Sequence, residues 1–177
     1  MPPALSHRIE HAQMIRSEDI QRLARLNMAA CVQPHNMILD INMIDESVGP
    51  LGRYTYAYKE MVDAGIAVLL SSDAPVCDPS PLVGIHAAVT RQRRDGTPAG
   101  GWYPEQRISV ADALRGYTTV PAAFYGQARN MGSLTPGKWA DMIVLDRDIF
   151  QVDPMEIADT RVEMTIFDGR IVYRSRL

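Results

Sequence analysis

The sequence predicts an α/β fold: the C-terminal portion of a (β/α)8 TIM barrel, about three βα units, with part of a small β-sandwich domain. Short apolar runs alternate with segments of helical periodicity, as in parallel strands joined by helical crossovers. His11 and Asp73 each close such a run and lie 62 positions apart. One unit of a barrel of about 250 residues takes roughly 31 residues, so this spacing corresponds to two units.

The first strand is predicted to end at His11, because apolar and polar residues alternate over residues 5–11 and place Leu5 on the face of His11. A helix with Ser17 as its N-terminal cap should follow. A second strand is expected over residues 28–33, since this apolar run stops at a proline. A loop is predicted from residue 35 to about residue 52.

The pattern then repeats. Residues 54–64 are predicted to form a helix that Gly65 ends. Residues 66–71 follow as a third buried strand, and a proline-containing loop leads into a helix over residues 82–91. Residues 95–107 are rich in glycine and proline and are expected to form an ordered lid or rim loop.

A change of character near residue 132 separates the predicted domains, a barrel part at 1–130 and a β-sandwich part at 131–177. Before it, Ser109 opens a capping-box helix to about residue 117, and Pro121 starts a shorter helix. After it, Asp168-Gly169 is a strong hairpin signal. The strands predicted in this second part cover residues 142–145, 164–167 and 170–173.

Composition excludes several classes of protein. The chain has 177 residues, of which 46% are hydrophobic and 22% charged, as in a globular protein. A net charge of −3 argues against nucleic-acid binding. No apolar stretch approaches the roughly 18 residues of a transmembrane helix, and residues 1–4 lack signal-peptide character. Cys31 and Cys77 form no disulfide or C-x-x-C pattern, which favours a cytoplasmic location.

His11 and Asp73 are the candidate metal ligands. Both close strands at the end where barrel enzymes carry their chemistry. Imidazole nitrogen and carboxylate oxygen suit a divalent metal that activates water, and a carboxylate beside that water can act as general base. The alternative is that His11 is an ordinary polar residue at a strand end and Asp73 a helix cap or loop residue.

Three other residues allow two interpretations. His7, with Glu10 and His11, matches the H-x-x-E-H motif of inverzincins, but that motif requires a helix, and on a strand the two imidazoles lie about 13 Å apart. His35 is a candidate substrate-binding residue or a loop histidine. Trp102 either lines an apolar substrate pocket or packs its loop onto the barrel.

Several segments resemble the amidohydrolase superfamily, and most of all amidohydrolase family 3, the YtcJ-like proteins. They are residues 8–13 (RIEHAQ), 33–35 (QPH), 71–75 (SSDAP), 87–91 (AAVTR), 132–146 (GSLTPGKWADMIVLD) and 168–173 (DGRIVY). The resemblance implies a metal-dependent hydrolase of amides or cyclic amides. It makes His11 the metal ligand of the sixth strand, and Asp73 the metal-binding general base of the eighth. Zinc is the expected metal, with iron or manganese as alternatives.

The family's H-x-H motif on strand one has no counterpart in this sequence. We therefore expect a C-terminal fragment or truncated homologue that is inactive alone and binds no metal, or only with ligands from elsewhere. A non-catalytic half-barrel interaction or dimerisation module is the alternative. Unpaired strand edges predict self-association or pairing with an N-terminal part.

Overall fold

Two three-stranded sheets and six α-helices make up the computed structural model, which describes residues 7–175. The strands are β1 (Arg8–Glu10), β2 (Ala29–Val32), β3 (Val68–Leu70), β4 (Met142–Leu145), β5 (Val162–Phe167) and β6 (Arg170–Arg174). The helices are α1 (Ser17–Arg25), α2 (Pro34–Val48), α3 (Tyr58–Asp63), α4 (Pro81–Thr90), α5 (Val110–Tyr117) and α6 (Thr119–Phe124). Leu5, predicted to face the same side of the first strand as His11, lies outside the described residues.

The first sheet is parallel, in the order β1-β2-β3, which confirms the predicted α/β class. Its two faces are covered differently because successive side chains of a strand point to opposite sides. One face joins the main core through Ala30, Val32, Val68 and Leu70. The other face carries Ala29, Cys31 and Leu69, and α6 packs against it. Because the three strands are parallel, their carboxyl ends meet at one edge of the sheet.

The loop predicted over residues 35–52 is wrong, because residues 34–48 form the 15-residue helix α2. Pro34 is its first residue, a position where a missing N–H costs no hydrogen bond. Its inner face is apolar at helical spacing and is buried through Met37, Ile38, Ile41 and Ile44. A short 3-10 helix over Gly49–Tyr54 follows, so the next helix starts at Tyr58 and not at residue 54.

Two other helix starts differ from their predictions. Arg16, not Ser17, occupies the N-cap of α1, and the Ser17 hydroxyl donates instead to Glu60 on α3. Helix α6 begins at Thr119, with Pro121 as its third residue. Ser109 is confirmed as the N-cap of α5, because its side chain accepts the Asp112 backbone N–H at 3.0 Å.

The second sheet is antiparallel, in the order β4-β5-β6. The predicted hairpin is confirmed, since Asp168 and Gly169 both have positive φ angles, of 50° and 73°, as a two-residue turn requires. The segment between β4 and β5 packs onto the first part of the chain, and its Ile149 and Ile157 belong to the main core. On the same side, Nδ1 of His86 in α4 lies 3.2 Å from the Pro154 carbonyl.

No helix within residues 7–175 is both long and apolar enough to cross a membrane.

Candidate active site at the carboxyl edge of the parallel sheet

His11 follows β1 directly and turns the chain sharply at the edge of the sheet. Its φ angle is 67° and that of Ala12 is 43°, both in the left-handed region that residues other than glycine rarely adopt. Ala12 N–H donates to the Glu10 carbonyl at 2.9 Å, which closes the turn. Such a backbone costs about 1–3 kcal/mol and is typical of functional sites. The His11 side chain is half-buried.

Asp73 occupies the matching place after β3. Ser71 N–H continues the strand pairing by donating to the Val32 carbonyl at 3.0 Å, and two residues later Asp73 turns with a φ angle of 59°. Its side chain is half-buried. Since β1 and β3 flank β2, His11 and Asp73 follow strands whose axes are about 10 Å apart, at the same edge.

The amino end of α2 contacts the Asp73 loop. Asn36 Nδ2 donates to Asp73 Oδ2 at 3.5 Å, a long hydrogen bond. The thiol of Cys77 donates to Asn36 Oδ1 at 2.7 Å. Asn36 and Cys77 are both buried, and burial followed by the nearby Asp73 and Asp40 carboxylates raises the pKa of the Cys77 thiol. The thiol is therefore protonated at neutral pH and is able to donate.

One turn further along α2, Asp40 contacts the loop that follows His11. Gln13 Nε2 donates to Asp40 Oδ2 at 3.2 Å, and the Tyr56 hydroxyl donates to the same oxygen. Burial, and then the hydrogen bond to Asp40, raise the pKa of Tyr56, so the phenol keeps its proton. Helix α2 thus links the loops after β1 and β3 through one polar face.

His35 and Gln33 flank Pro34 at the carboxyl end of β2. His35 is half-buried, and burial lowers its pKa although Asp78 acts in the opposite direction, so the imidazole is neutral at pH 7. Gln33 Nε2 donates to the Ser71 hydroxyl at 3.0 Å. Within residues 7–175, His35 Nδ1 and Gln33 Oε1 are buried without a hydrogen-bond partner.

Trp102 lies in the core, with 6% of its surface exposed. Its ring contacts those of Tyr56 and Tyr103 edge-on, with centroids 6.4 and 4.7 Å away. Its Nε1 donates to Asp45 Oδ1 at 3.0 Å, and the buried guanidinium of Arg91 donates to its carbonyl at 2.6 Å. These contacts favour the packing interpretation of Trp102, and its role in substrate binding stays a prediction.

The inverzincin interpretation of His7, Glu10 and His11 is wrong. Residues 8–10 form a strand that pairs with β2, whereas the motif requires a helix. His7 itself is exposed.

His11 and Asp73 offer one imidazole nitrogen and one carboxylate oxygen, a donor set that zinc, iron and manganese all accept. In the described part of the chain, no group of three or more His, Cys, Asp or Glu side chains is arranged to hold a metal. Catalytic zinc sites commonly use three protein ligands. The donors of residues 7–175 therefore suit such a metal and fall short of a complete site.

Several polar residues around the candidate ligands have no signal in the sequence pattern. They are Gln13, Asn36, Asp40, Tyr56 and Cys77. Asn36 and Asp40 are four residues apart, so they share a face once residues 34–48 are helical. The sequence pattern predicts a loop for this segment, and in a loop a spacing of four residues does not place two side chains on one face.

Comparison with known proteins places the chain in a family. Residues 2–173 match the family model described as amidohydrolase family. The chain belongs to the amidohydrolase family. The resemblance to amidohydrolase family 3 and its YtcJ-like branch is confirmed by the relatives that match.

Two curated relatives and one solved structure illustrate the similarity. The putative amidohydrolase YtcJ of Bacillus subtilis (strain 168) is 30% identical over 167 residues, which are 94% of this chain and 32% of the relative. The N-substituted formamide deformylase of Arthrobacter pascens is 31% identical over 175 residues, with 94% and 30% covered. A crystal structure of an uncharacterized metal-dependent hydrolase from Pyrococcus horikoshii OT3 superposes with a TM-score of 0.71 and 30% identity, over 83% of this chain and 30% of that one.

The chain thus spans about a third of the length of these relatives.

Proposed function

We propose that this chain supplies part of the active site of a metal-dependent amidohydrolase, which hydrolyses C–N bonds of amides or cyclic amides by activating water. The observation that carries this proposal is the matched geometry of His11 and Asp73. Each follows a parallel strand at the same edge of the sheet, and each holds a left-handed backbone. Family membership gives that geometry its chemical interpretation.

In this proposal His11 and Asp73 bind a divalent metal, with zinc expected and iron or manganese as alternatives. When bound, such a metal lowers the pKa of water toward neutrality. The Asp73 carboxylate accepts a proton from the attacking water and delivers it to the leaving nitrogen. The neutral imidazole of His35, with its buried Nδ1, is assigned to hydrogen bonding with the substrate.

The remaining ligands would come from strands that this sequence does not contain. Two donors are fewer than a catalytic metal commonly has, and the relatives are about three times as long as the matched region. We interpret residues 1–130 as the C-terminal part of a (β/α)8 barrel and residues 131–177 as part of a β-sandwich. Activity is accordingly expected from the assembled barrel and not from this chain alone.

The names of two relatives support a small-molecule C–N substrate and a metal. One is an N-substituted formamide deformylase, and the solved structure is a metal-dependent hydrolase. A cytoplasmic setting agrees with Cys31 and Cys77, which are both free thiols. No nucleic-acid or membrane partner is proposed.

A non-catalytic interaction module is the second candidate. It is favoured by apolar side chains that the second sheet leaves exposed, namely Ile143, Val144, Phe167, Ile171, Val172 and Tyr173. Exposed apolar patches of this kind mark association surfaces. In this case His11 and Asp73 would bind no metal, and self-association would be the function.

Equilibrium dialysis against Zn2+, with metal counted by elemental mass spectrometry, separates the two candidates. Two donors should hold zinc only weakly, so uptake is expected at high free Zn2+, and His11→Ala and Asp73→Asn should each weaken it at least tenfold. His7→Ala is the matched control, since His7 is exposed and precedes β1. Zinc uptake that is absent, or equally strong in all variants, would contradict the proposal. Dimerisation without zinc in sedimentation experiments would then support the interaction module.

A further inference from the structure

We propose that Asn36, oriented by the Cys77 thiol, is a positioning residue for the carboxylate of Asp73. This inference rests on the proposed function, because it gives Asp73 the role of metal ligand and base. It adds two residues that the sequence pattern does not single out, and it assigns each a separate task.

The first step is the burial of the amide. Asn36 is 8% exposed and lies in the first turn of α2, where the helix meets the loop after β3. A buried amide needs partners for both its N–H2 and its C=O group, because an unpaired buried polar group costs about 1–3 kcal/mol. The Nδ2 group of Asn36 donates to Asp73, and the Cys77 thiol donates to Asn36 Oδ1.

The second step is the direction of the amide. A thiol is a weak donor and a weak acceptor, and in this structure the Cys77 thiol donates to the oxygen end of Asn36. The nitrogen end must then face away from Cys77 and toward Asp73 Oδ2, where it lies at 3.5 Å. A carboxylate accepts this N–H, whereas the oxygen end of the amide would repel it. The two contacts therefore select the same orientation.

The third step is the effect on the carboxylate. Asp73 stands on a left-handed turn after β3, and Val76 N–H donates to its backbone carbonyl at 2.8 Å. Its backbone is thereby held, and Asn36 contacts its side chain at Oδ2. In the proposed site, Oδ1 would then be available to the metal or the water. Carboxylate ligands are commonly held by such hydrogen bonds, and removing the partner typically lowers metal affinity 10–100-fold.

The test measures Mn2+ affinity by line broadening of the His11 and Asp73 backbone NMR signals. Asn36→Leu, which keeps the size and removes the donor, should weaken Mn2+ binding about tenfold. Cys77→Ala should weaken it less, and Cys77→Ser should restore it because a hydroxyl also donates. Ile38→Ala is the matched control, since Ile38 has the same 8% exposure on the same helix and belongs to the hydrophobic core.

A second readout needs no metal. The Asn36 side-chain N–H2 signals should shift in Cys77→Ala and Asp73→Asn, and should stay in place in Cys77→Ser. Mn2+ binding that Asp73→Asn removes but Asn36→Leu and Cys77→Ala leave intact would overturn the positioning role alone. If the unaltered chain does not bind Mn2+, the proposed metal site fails. In that case unmoved Asn36 signals would also overturn the hydrogen bonds of Asn36, and shifted signals would support those hydrogen bonds but not a role at a metal.

Discussion

At the scale of single residues, Arg91 is the most unusual side chain near the site, because it is charged and has no exposed surface. Its Nε and Nη1 donate to the carbonyls of Trp102 and Tyr56 at 2.6 and 2.9 Å. The guanidinium also lies over the rings of Tyr58 and Trp102, 5.6 and 5.3 Å from their centroids. Burial lowers the pKa of Arg91 to about 10, so it stays charged at neutral pH.

We expect Arg91→Met to lower the free energy of unfolding by about 1–3 kcal/mol, because it leaves the buried Trp102 carbonyl without a donor and the Tyr56 carbonyl with only the Tyr58 N–H. Arg91→Lys should recover only part of this loss, since an ammonium lacks the planar fork of donors. Urea denaturation measures both effects. Arg25→Met, at the exposed end of α1, is the control and should change stability by less than about 0.5 kcal/mol. If both methionine variants change the free energy of unfolding by the same small amount, the hydrogen bonds of Arg91 do not stabilise the fold.

The position of the two candidate ligands after parallel strands could be predicted from sequence because the signal for it is local. His11 and Asp73 each close a short run of strand-like residues, so their place at a strand end needs no knowledge of the rest of the chain. Asn36 and Cys77 carry no such signal. Their contact joins residues 41 positions apart and depends on where α2 lies.

At the scale of elements, α2 shows why the rest was missed. An amphipathic helix is recognised by one apolar face and one polar face. In α2, Leu39 and Met43 are apolar and yet 59% and 53% exposed, so the apolar positions surround the helix and the periodicity is weak. Pro34, which ends the preceding strand, also starts this helix. The sequence pattern therefore favours a loop where tertiary packing forms a helix.

Leu39→Pro tests this element directly. Proline in a helix interior removes one hydrogen bond and clashes with the carbonyl four residues earlier, so the variant should lose about 3 kcal/mol or more. Circular dichroism should show reduced helix content, and urea denaturation should show the loss of stability. Leu39→Ala is the control, because it shortens the same exposed side chain and keeps the N–H. Equal stability of the two variants would mean that residues 34–48 tolerate a loop conformation.

At the scale of the whole molecule, both sheets could be predicted because alternation, helix spacing and turn residues act over a few positions. The way the two parts join could not. Ile149 and Ile157 lie in the segment between β4 and β5, where the sequence has no regular period. Their burial in the main core depends on the position of α4, onto which this segment packs. The boundary at residue 130 thus marks a change in the sequence pattern, whereas the hydrophobic core includes residues from both sides of it.

A shared core predicts that the two parts unfold together. Ile157 is fully buried, so Ile157→Ala should lower stability by about 2–5 kcal/mol. The destabilisation should extend to the first part of the chain. Fluorescence of Trp102 reports on that part in a Trp139→Phe background, where Trp102 is the remaining tryptophan. The urea midpoint of Trp102 fluorescence should therefore fall with Ile157→Ala. Ile143→Ala, at a position 48% exposed, should leave that midpoint nearly unchanged. If the urea midpoint of Trp102 fluorescence stays unchanged in Ile157→Ala, residues 131–177 unfold as a separate unit. The reason is that a cavity in an independent domain cannot destabilise its neighbour.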